Sequence, residues 1–321
     1  MSTLDGILFF PVTPFDAAGE IMLRPLAQHI EAGLEHKPGG VFVACGTGEF
    51  HALEPGEYAR LVRRAVEVVG GAVPVYAGVG GALPLAKQFA TAAKESGADG
   101  LLLLPPYLVS GPPTGVASYA RQVSTETDLP LIVYNRDNAT YDVATAVQLA
   151  QLPTVTGFKD GRGDLDMLGQ IVEAVREALA GGGKSFQFFN GTPTAEVNVP
   201  AYRGVGVQAY SSAVYCFIPE LSLAFYRAVH RGDAALVERF IGEFFGPLVA
   251  LRDTVPGYAV SLIKAGVRLS GIDVGGVRAP LVDPSPEDIE HLIDIIEIGR
   301  RIVAEAAGTP SQTPEGAGHA H

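Results

Sequence analysis

Residues 154–164 read "TVTGFKDGRGD": a short β-branched and aromatic run that carries Lys159 to its end, then breaks into a glycine-rich turn. A strand apolar on both faces, with polar residues gathered at its C-terminal end, is the form taken in a parallel sheet covered by helices. The form recurs in "GILFFPVT" (6–13), "GVFVAC" (40–45), "VPVYAG" (73–78) and "DGLLLL" (99–104). It returns in "LPLIVY" (129–134), "FQFFN" (186–190) and "GVGVQAYS" (204–211), making eight runs with "VTGFK" (155–159). Segments of helical spacing lie between them, among them Glu57 to Val69, Pro84 to Ser96, Ala117 to Thr125 and Leu165 to Leu179. Eight strand–helix units in sequence predict an α/β protein closed into a (β/α)8 TIM barrel. An open, doubly wound sheet competes. Its dinucleotide fingerprint follows a strand and opens a helix, whereas "GVGVQA" from Gly204 stands at the start of its run.

After the eighth run the pattern turns helical, from Pro219 to Ile241 and onward. The expected organisation is a barrel over 1–230, a helical C-terminal extension over 231–306 and a disordered tail over 307–321. That tail is small, polar and Pro-containing, "GTPSQTPEGAGHAH" from Gly308.

With 321 residues, 47% of them hydrophobic, the chain can bury the core of one large barrel. A formal charge of -12 argues against nucleic acid or an anionic membrane surface as a general partner. The apolar stretch from Ala72 to Ala86 is broken by Pro74, Gly78, Gly80, Gly81 and Pro84, so no membrane span is expected there. The start, "MSTLDGILFFPVTPF", lacks the basic opening of a signal peptide. Two cysteines, Cys45 and Cys216, make neither a disulfide framework nor a metal cluster, which fits a cytoplasmic location. The seven histidines are dispersed, so no metal is expected.

In a barrel, reactive residues belong at the C-terminal ends of strands. Three polar segments fall there: "CGTGEF" (45–50), "YNRDNA" (134–139) and "KDGRGD" (159–164). Each carries two readings. Lys159 is either a solvated charge paired with Asp160, or an amine whose pKa is lowered by burial and by Arg136 or Arg162, free to attack a ketone. Tyr134 either packs with its hydroxyl on some acceptor or relays protons. Gly46 and Gly48 shape a tight turn; the same turn lets backbone N–H groups and the Thr47 hydroxyl hold a carboxylate. Glu49 reads as a cap for the helix that follows. Arg136 is either a surface group or a contact for the substrate, and Ser211 ends the eighth run at the mouth. No G-x-S-x-G elbow accompanies it, which argues against hydrolase chemistry.

Taken together, these segments resemble the dihydrodipicolinate synthase / N-acetylneuraminate lyase superfamily of Schiff-base-forming barrels. The family's G-T-T-G-E turn is similar to "CGTGE" here, its Y-N tyrosine to Tyr134 and its G-x-K-D/E lysine to Lys159. The resemblance runs from about Gly6 into the C-terminal helices. It implies an imine on Lys159, proton relay by Tyr134, and an α-keto acid carboxylate at Gly46 and Thr47. It also implies no cofactor, and a homo-oligomer, commonly a tetramer built from dimers. Gly46 stands where the synthase has its first threonine, Leu108 where it has a second tyrosine, and Ala139 where it has an arginine. The combination "GTGEF", "VYNRDNA", "GFKDGRGD" and "YSSAV" is instead similar to the decarboxylating 5-dehydro-4-deoxyglucarate dehydratase branch. Its substrate is a small keto sugar acid. A retro-aldol lyase of a 2-keto-3-deoxy sugar acid shares Lys159 and Tyr134 and stays open, as does a non-catalytic barrel that binds keto acids.

Overall fold

Leu8 of the first strand lies opposite Gly40 on one side and Ser211 on the other, so the sheet has no free edge. The computed structural model describes residues 4–308. Its strands are β1 (Leu8–Phe9), β2 (Gly40–Val43), β3 (Val75–Val79), β4 (Gly100–Leu103), β5 (Leu131–Asn135), β6 (Val155–Asp160), β7 (Gln187–Asn190) and β8 (Ala209–Ser212). They pair in chain order, all parallel, as a closed barrel. Every residue of β2 to β5 is buried, as expected of strands with the barrel core on one side and helices on the other.

The outer ring is α1 (Leu23–Leu34), α2 (Pro55–Val69), α3 (Leu83–Glu95), α4 (Pro113–Ser124), α5 (Val143–Ala150), α6 (Leu165–Leu179), α7 (Val199–Gly204) and α8 (Pro219–Arg231). Local chemistry starts these helices. Glu54 and Glu57 form a reciprocal capping box on α2, and Asp142 and Thr145 form one on α5. The quoted stretch "TVTGFKDGRGD" is one complete strand-to-helix turn: β6 ends at Asp160, Gly163 takes φ +76, and Asp164 caps α6 by accepting from Met167 N–H. The eighth run begins later than its pattern suggests. Gly204 closes α7, and only Ala209–Ser212 pair as β8. A continuous helix from Pro219 to Ile241 is likewise interrupted, by Gly232 in the left-handed region at φ +72.

Beyond α8 the chain forms α9 (Ala234–Phe240), a π-helical turn at Ile241–Phe245, α10 (Gly246–Arg252), α11 (Tyr258–Leu269) and α12 (Pro286–Gly308). From residue 309 the expected tail lies outside the described residues. Among the described residues no helix is long and apolar enough to cross a membrane.

These helices fold back over the C-terminal end of the barrel and are tied to it by buried charge. Lys264 Nζ of α11 lies 2.8 Å from Glu49 Oε1, and both side chains are 0% exposed. The backbone N–H of Arg278 donates to Glu49 Oε2 at 2.8 Å, while its guanidinium binds Glu57 and the carbonyls of Ala52 and Gly19. Glu49 therefore does not cap the helix after it; its side chain makes no capping bond and serves this pair instead. Removing one member of such a pair strands the other charge in a dry interior. Lys264→Met is expected to cost roughly 3–5 kcal/mol in denaturant unfolding, and Glu49→Gln/Lys264→Met is expected to recover part of that loss.

Candidate active site

β5 and β6 are adjacent, and their register sets Tyr134 directly beside Lys159. Successive strand residues face opposite ways. Lys159 turns inward, while Asp160 turns outward to accept from Asn135 Nδ2 at 2.7 Å, Tyr202 Oη at 2.5 Å and the N–H of Gly163 at 3.1 Å. The ion pair of Lys159 with Asp160 is therefore not formed.

Lys159 is 5% exposed. Its Nζ lies 4.4 Å from the centroid of the Phe10 ring and 4.4 Å from that of Tyr134. Phe10 stacks on Phe42, and Phe42 on Tyr76, at 4.7 and 4.9 Å between centroids, so the amine rests against a column of rings. Gly100 makes room for that column, since a Cβ there would stand 2.3 Å from the Tyr76 ring. Burial lowers the Lys159 pKa; Tyr134 and Cys45 oppose that shift, and Arg136 adds to it. Such an amine reaches its neutral, nucleophilic form more readily than a solvated lysine.

The Tyr134 hydroxyl donates to the carbonyl of Gly191 at 2.5 Å and accepts from Arg136 Nη1 at 3.2 Å. Gly191 follows β7. Its loop is shaped by Asn190, which accepts from the N–H and hydroxyl of Thr192 and donates to the Ala195 carbonyl. A Cβ on Gly191 would stand 2.5 Å from Lys159 Cε and 2.9 Å from the Tyr134 ring, so only glycine lets this loop approach the pair.

One cavity of about 290 Å³ is bordered by all six residues singled out in the sequence: Lys159, Tyr134, Gly46, Thr47, Arg136 and Ser211. Gly46 and Thr47 lie in the turn after β2, braced by a 2.6 Å hydrogen bond from Thr13 Oγ1 to the Gly48 carbonyl. Ser211 faces the cavity from β8. Its neighbour Ser212 turns away to bond Ser222 at 3.0 Å. Cys45 is buried, and burial pushes its thiol up to about 12, which leaves it no thiolate at neutral pH. Among the described residues, no group of three or more His, Cys, Asp or Glu is placed to hold a metal ion.

Among the bordering residues that escaped the sequence reading are Gly191, Glu196 and Arg252. For Gly191 the signal was present, a glycine immediately after "FQFFN". Glu196 and Arg252 carry no local signal, because only the folding of the chain after β7 and of α10 brings them to the cavity.

The model of the Dihydrodipicolinate synthetase family matches residues 3–298. The chain belongs to this family. A Streptomyces griseus protein named "Probable 5-dehydro-4-deoxyglucarate dehydratase" is 51% identical over 302 residues, 94% of each chain. A protein of the same name from Ectopseudomonas mendocina is 41% identical over 91% of this chain and 94% of its own. Among solved structures, the dihydrodipicolinate synthase of Bacillus clausii superposes with a TM-score of 0.81 at 26% identity, covering 92% of this chain and 97% of that one. The synthase from Oceanobacillus iheyensis gives 0.82 at 25% identity over 92% and 96%. The family's barrel is thus the one observed here.

Glu196, in the turn after β7, is fully buried, and among the described residues neither of its carboxylate oxygens has a hydrogen-bond partner. Burial raises its pKa from 4.5 to about 7; the nearby Ser212 hydroxyl pulls the other way but is already bonded to Ser222 and to Tyr215 N–H. The unfolded chain releases this proton at lower pH than the folded one. The part of the cost of burying Glu196 that comes from its charge is therefore nil below about pH 4.5, grows up to about pH 7 and is complete above it. Glu196→Gln is expected to raise unfolding stability by about 3 kcal/mol at pH 8 and by little at pH 4.5, measured in urea.

Proposed function

We propose that the chain is a 5-dehydro-4-deoxyglucarate dehydratase that works through an imine on Lys159. The observation that carries the reading is the buried Lys159 amine, beside Tyr134 and facing the cavity. The names of the relatives up to 51% identical support the choice of sugar acid.

Lys159 condenses with the C5 ketone, while the Gly46–Thr47 turn holds the adjoining C6 carboxylate. Tyr134, with its hydroxyl bonded to Gly191 and Arg136, passes protons between the amine and the departing water. The iminium then makes C4 acidic. Loss of a C4 proton gives an enamine, which expels the C3 hydroxyl as water and leaves a C3=C4 bond conjugated to the imine. Cleavage of C1–C2 releases CO2, and the bonding pair flows through C3=C4 to the iminium nitrogen. Reprotonation, tautomerisation of the C2 enol and hydrolysis give 2,5-dioxopentanoate and restore Lys159. Arg136 and Ser211 bind hydroxyl or carboxylate oxygens of the substrate at the rim. The lysine imine is the electron sink, so this route uses no organic cofactor. A cytoplasmic setting accords with two buried free thiols, Cys45 and Cys216.

We also infer a homotetramer built from dimers. Supporting it, Leu108 is fully exposed and Val109 largely so, with Tyr107 and Leu108 both held at positive φ, +44 and +61. An apolar tip held out of the fold is the kind of surface a second copy covers.

Given 5-dehydro-4-deoxyglucarate, the protein is expected to form CO2 and 2,5-dioxopentanoate, identified by mass; pyruvate with an aldehyde fragment would move it to the retro-aldol reading. Lys159→Ala is expected to abolish the borohydride-trapped adduct, and Tyr134→Phe to slow turnover by about 10²–10⁴-fold. Leu108→Asp is expected to yield a smaller species by light scattering after gel filtration; an unchanged mass rejects this tip as an interface.

A further inference from the structure

The proposed substrate carries a carboxylate at each end, and the residues discussed so far account for the end beside the ketone. A second carboxylate in a 290 Å³ cavity needs a second cationic partner. Three permanently or potentially cationic groups besides Lys159 border the cavity: His51, Arg136 and Arg252. Burial lowers the His51 pKa, so at neutral pH it is a neutral ring. Arg136 belongs to the reacting end, with Nη1 on the Tyr134 hydroxyl and Nε 3.1 Å from the Asp137 carboxylate.

Arg252 differs. It stands at the end of α10, outside the barrel, and its side chain is 17% exposed. Its Nη1 donates to Thr194 Oγ1 at 2.8 Å, while Nε and Nη2 donate to the two oxygens of its chain neighbour Asp253 at 2.8 and 3.1 Å, a carboxylate that is 60% exposed. Together these contacts engage three of the five guanidinium N–H groups and leave one on Nη1 and one on Nη2 for a further carboxylate. Thr194 belongs to the loop whose Gly191 carbonyl holds Tyr134, and it sits at φ +51, a strained conformation for a β-branched residue. The contact therefore links the guanidinium to the loop over the reacting amine and holds it in place before any ligand arrives.

We propose that Arg252 binds the carboxylate at the far end of the substrate, the one lost as CO2, and so makes the site selective for keto acids with a carboxylate at both ends. A guanidinium fork suits the two oxygens of a carboxylate, and bidentate contact fixes the direction of the C1–C2 bond relative to the conjugated imine. Arg252 acts in specificity and positioning; the electrons of decarboxylation still flow to the Lys159 imine. The inference rests on the proposed reaction, and its test separates the two.

The experiment traps imines with borohydride over graded concentrations of two six-carbon keto acids. One is 2-oxoadipate, the substrate skeleton without its hydroxyls; the other is 2-oxohexanoate, which ends in a methyl group. The wild-type protein is expected to prefer 2-oxoadipate by about 10- to 100-fold in half-trapping concentration. Arg252→Met is expected to shrink that preference to about twofold, and Arg252→Lys to keep part of it, since charge remains without the fork. A structural role for Arg252 would weaken both ligands alike and leave their ratio unmoved. A preference retained in Arg252→Met, or absent from the wild type, overturns the inference while leaving the imine standing. No adduct with either keto acid in the wild type overturns the imine reading itself, and the inference with it.

Discussion

A carboxylate and an ammonium group with no access to water, Glu49 and Lys264, hold the barrel and its C-terminal helices to one another. Two charges in such a place add little net stability, because desolvation offsets much of their attraction. What they do is fix position. Glu49 ends the turn that carries Gly46 and Thr47, and it stands at φ +54, a conformation its side chain would not choose in isolation. The second oxygen of the same carboxylate receives the N–H of Arg278, whose guanidinium reaches Glu57 at the start of α2. The turn after β2, α2, α11 and the segment before α12 therefore share one constraint. The roof over the cavity, which includes Arg252 and Tyr258, rests on it.

The chain buries two lysines near this region and treats them differently. Burial lowers the pKa of both. At Lys264 the Glu49 carboxylate at 2.8 Å opposes that effect and, with the Gly276 carbonyl, anchors the side chain as a structural tie. At Lys159 the neighbours are ring faces and a phenol hydroxyl, with the Arg136 guanidinium close enough to disfavour a second positive charge. The same residue type is thus a strut in one setting and a latent nucleophile in the other. The surrounding acceptors decide which.

Most of the barrel was legible along the chain because its strands are buried on both faces and bounded by glycine, proline and capping residues. The stretch from Leu165 to Leu179 was read to its ends, since Asp164 caps it and its apolar spacing is regular. The start of β8 was not, because "GVGVQ" is apolar enough to pass for strand although its first glycine closes α7. The six residues named for the site follow visible strand ends, and they do border one cavity. Glu49 was misread for a physical reason. A glutamate before a helix has the same local look whether it caps that helix or meets a lysine 215 positions later.

The order of elements, the closure of eight strands, and the placing of Lys159 and Tyr134 at neighbouring strand ends were properties of the sequence itself. They follow from local periodicity and from the rule that parallel strands pair in order, both of which act over short distances. Whether Lys159 met Asp160 or an aromatic column, which loop received the Tyr134 hydroxyl, and that Arg252 and Glu196 would border the cavity were decided only by tertiary structure. Those outcomes depend on which side chains distant parts of the chain bring within a few ångströms, and desolvation and hydrogen bonding act only at that range.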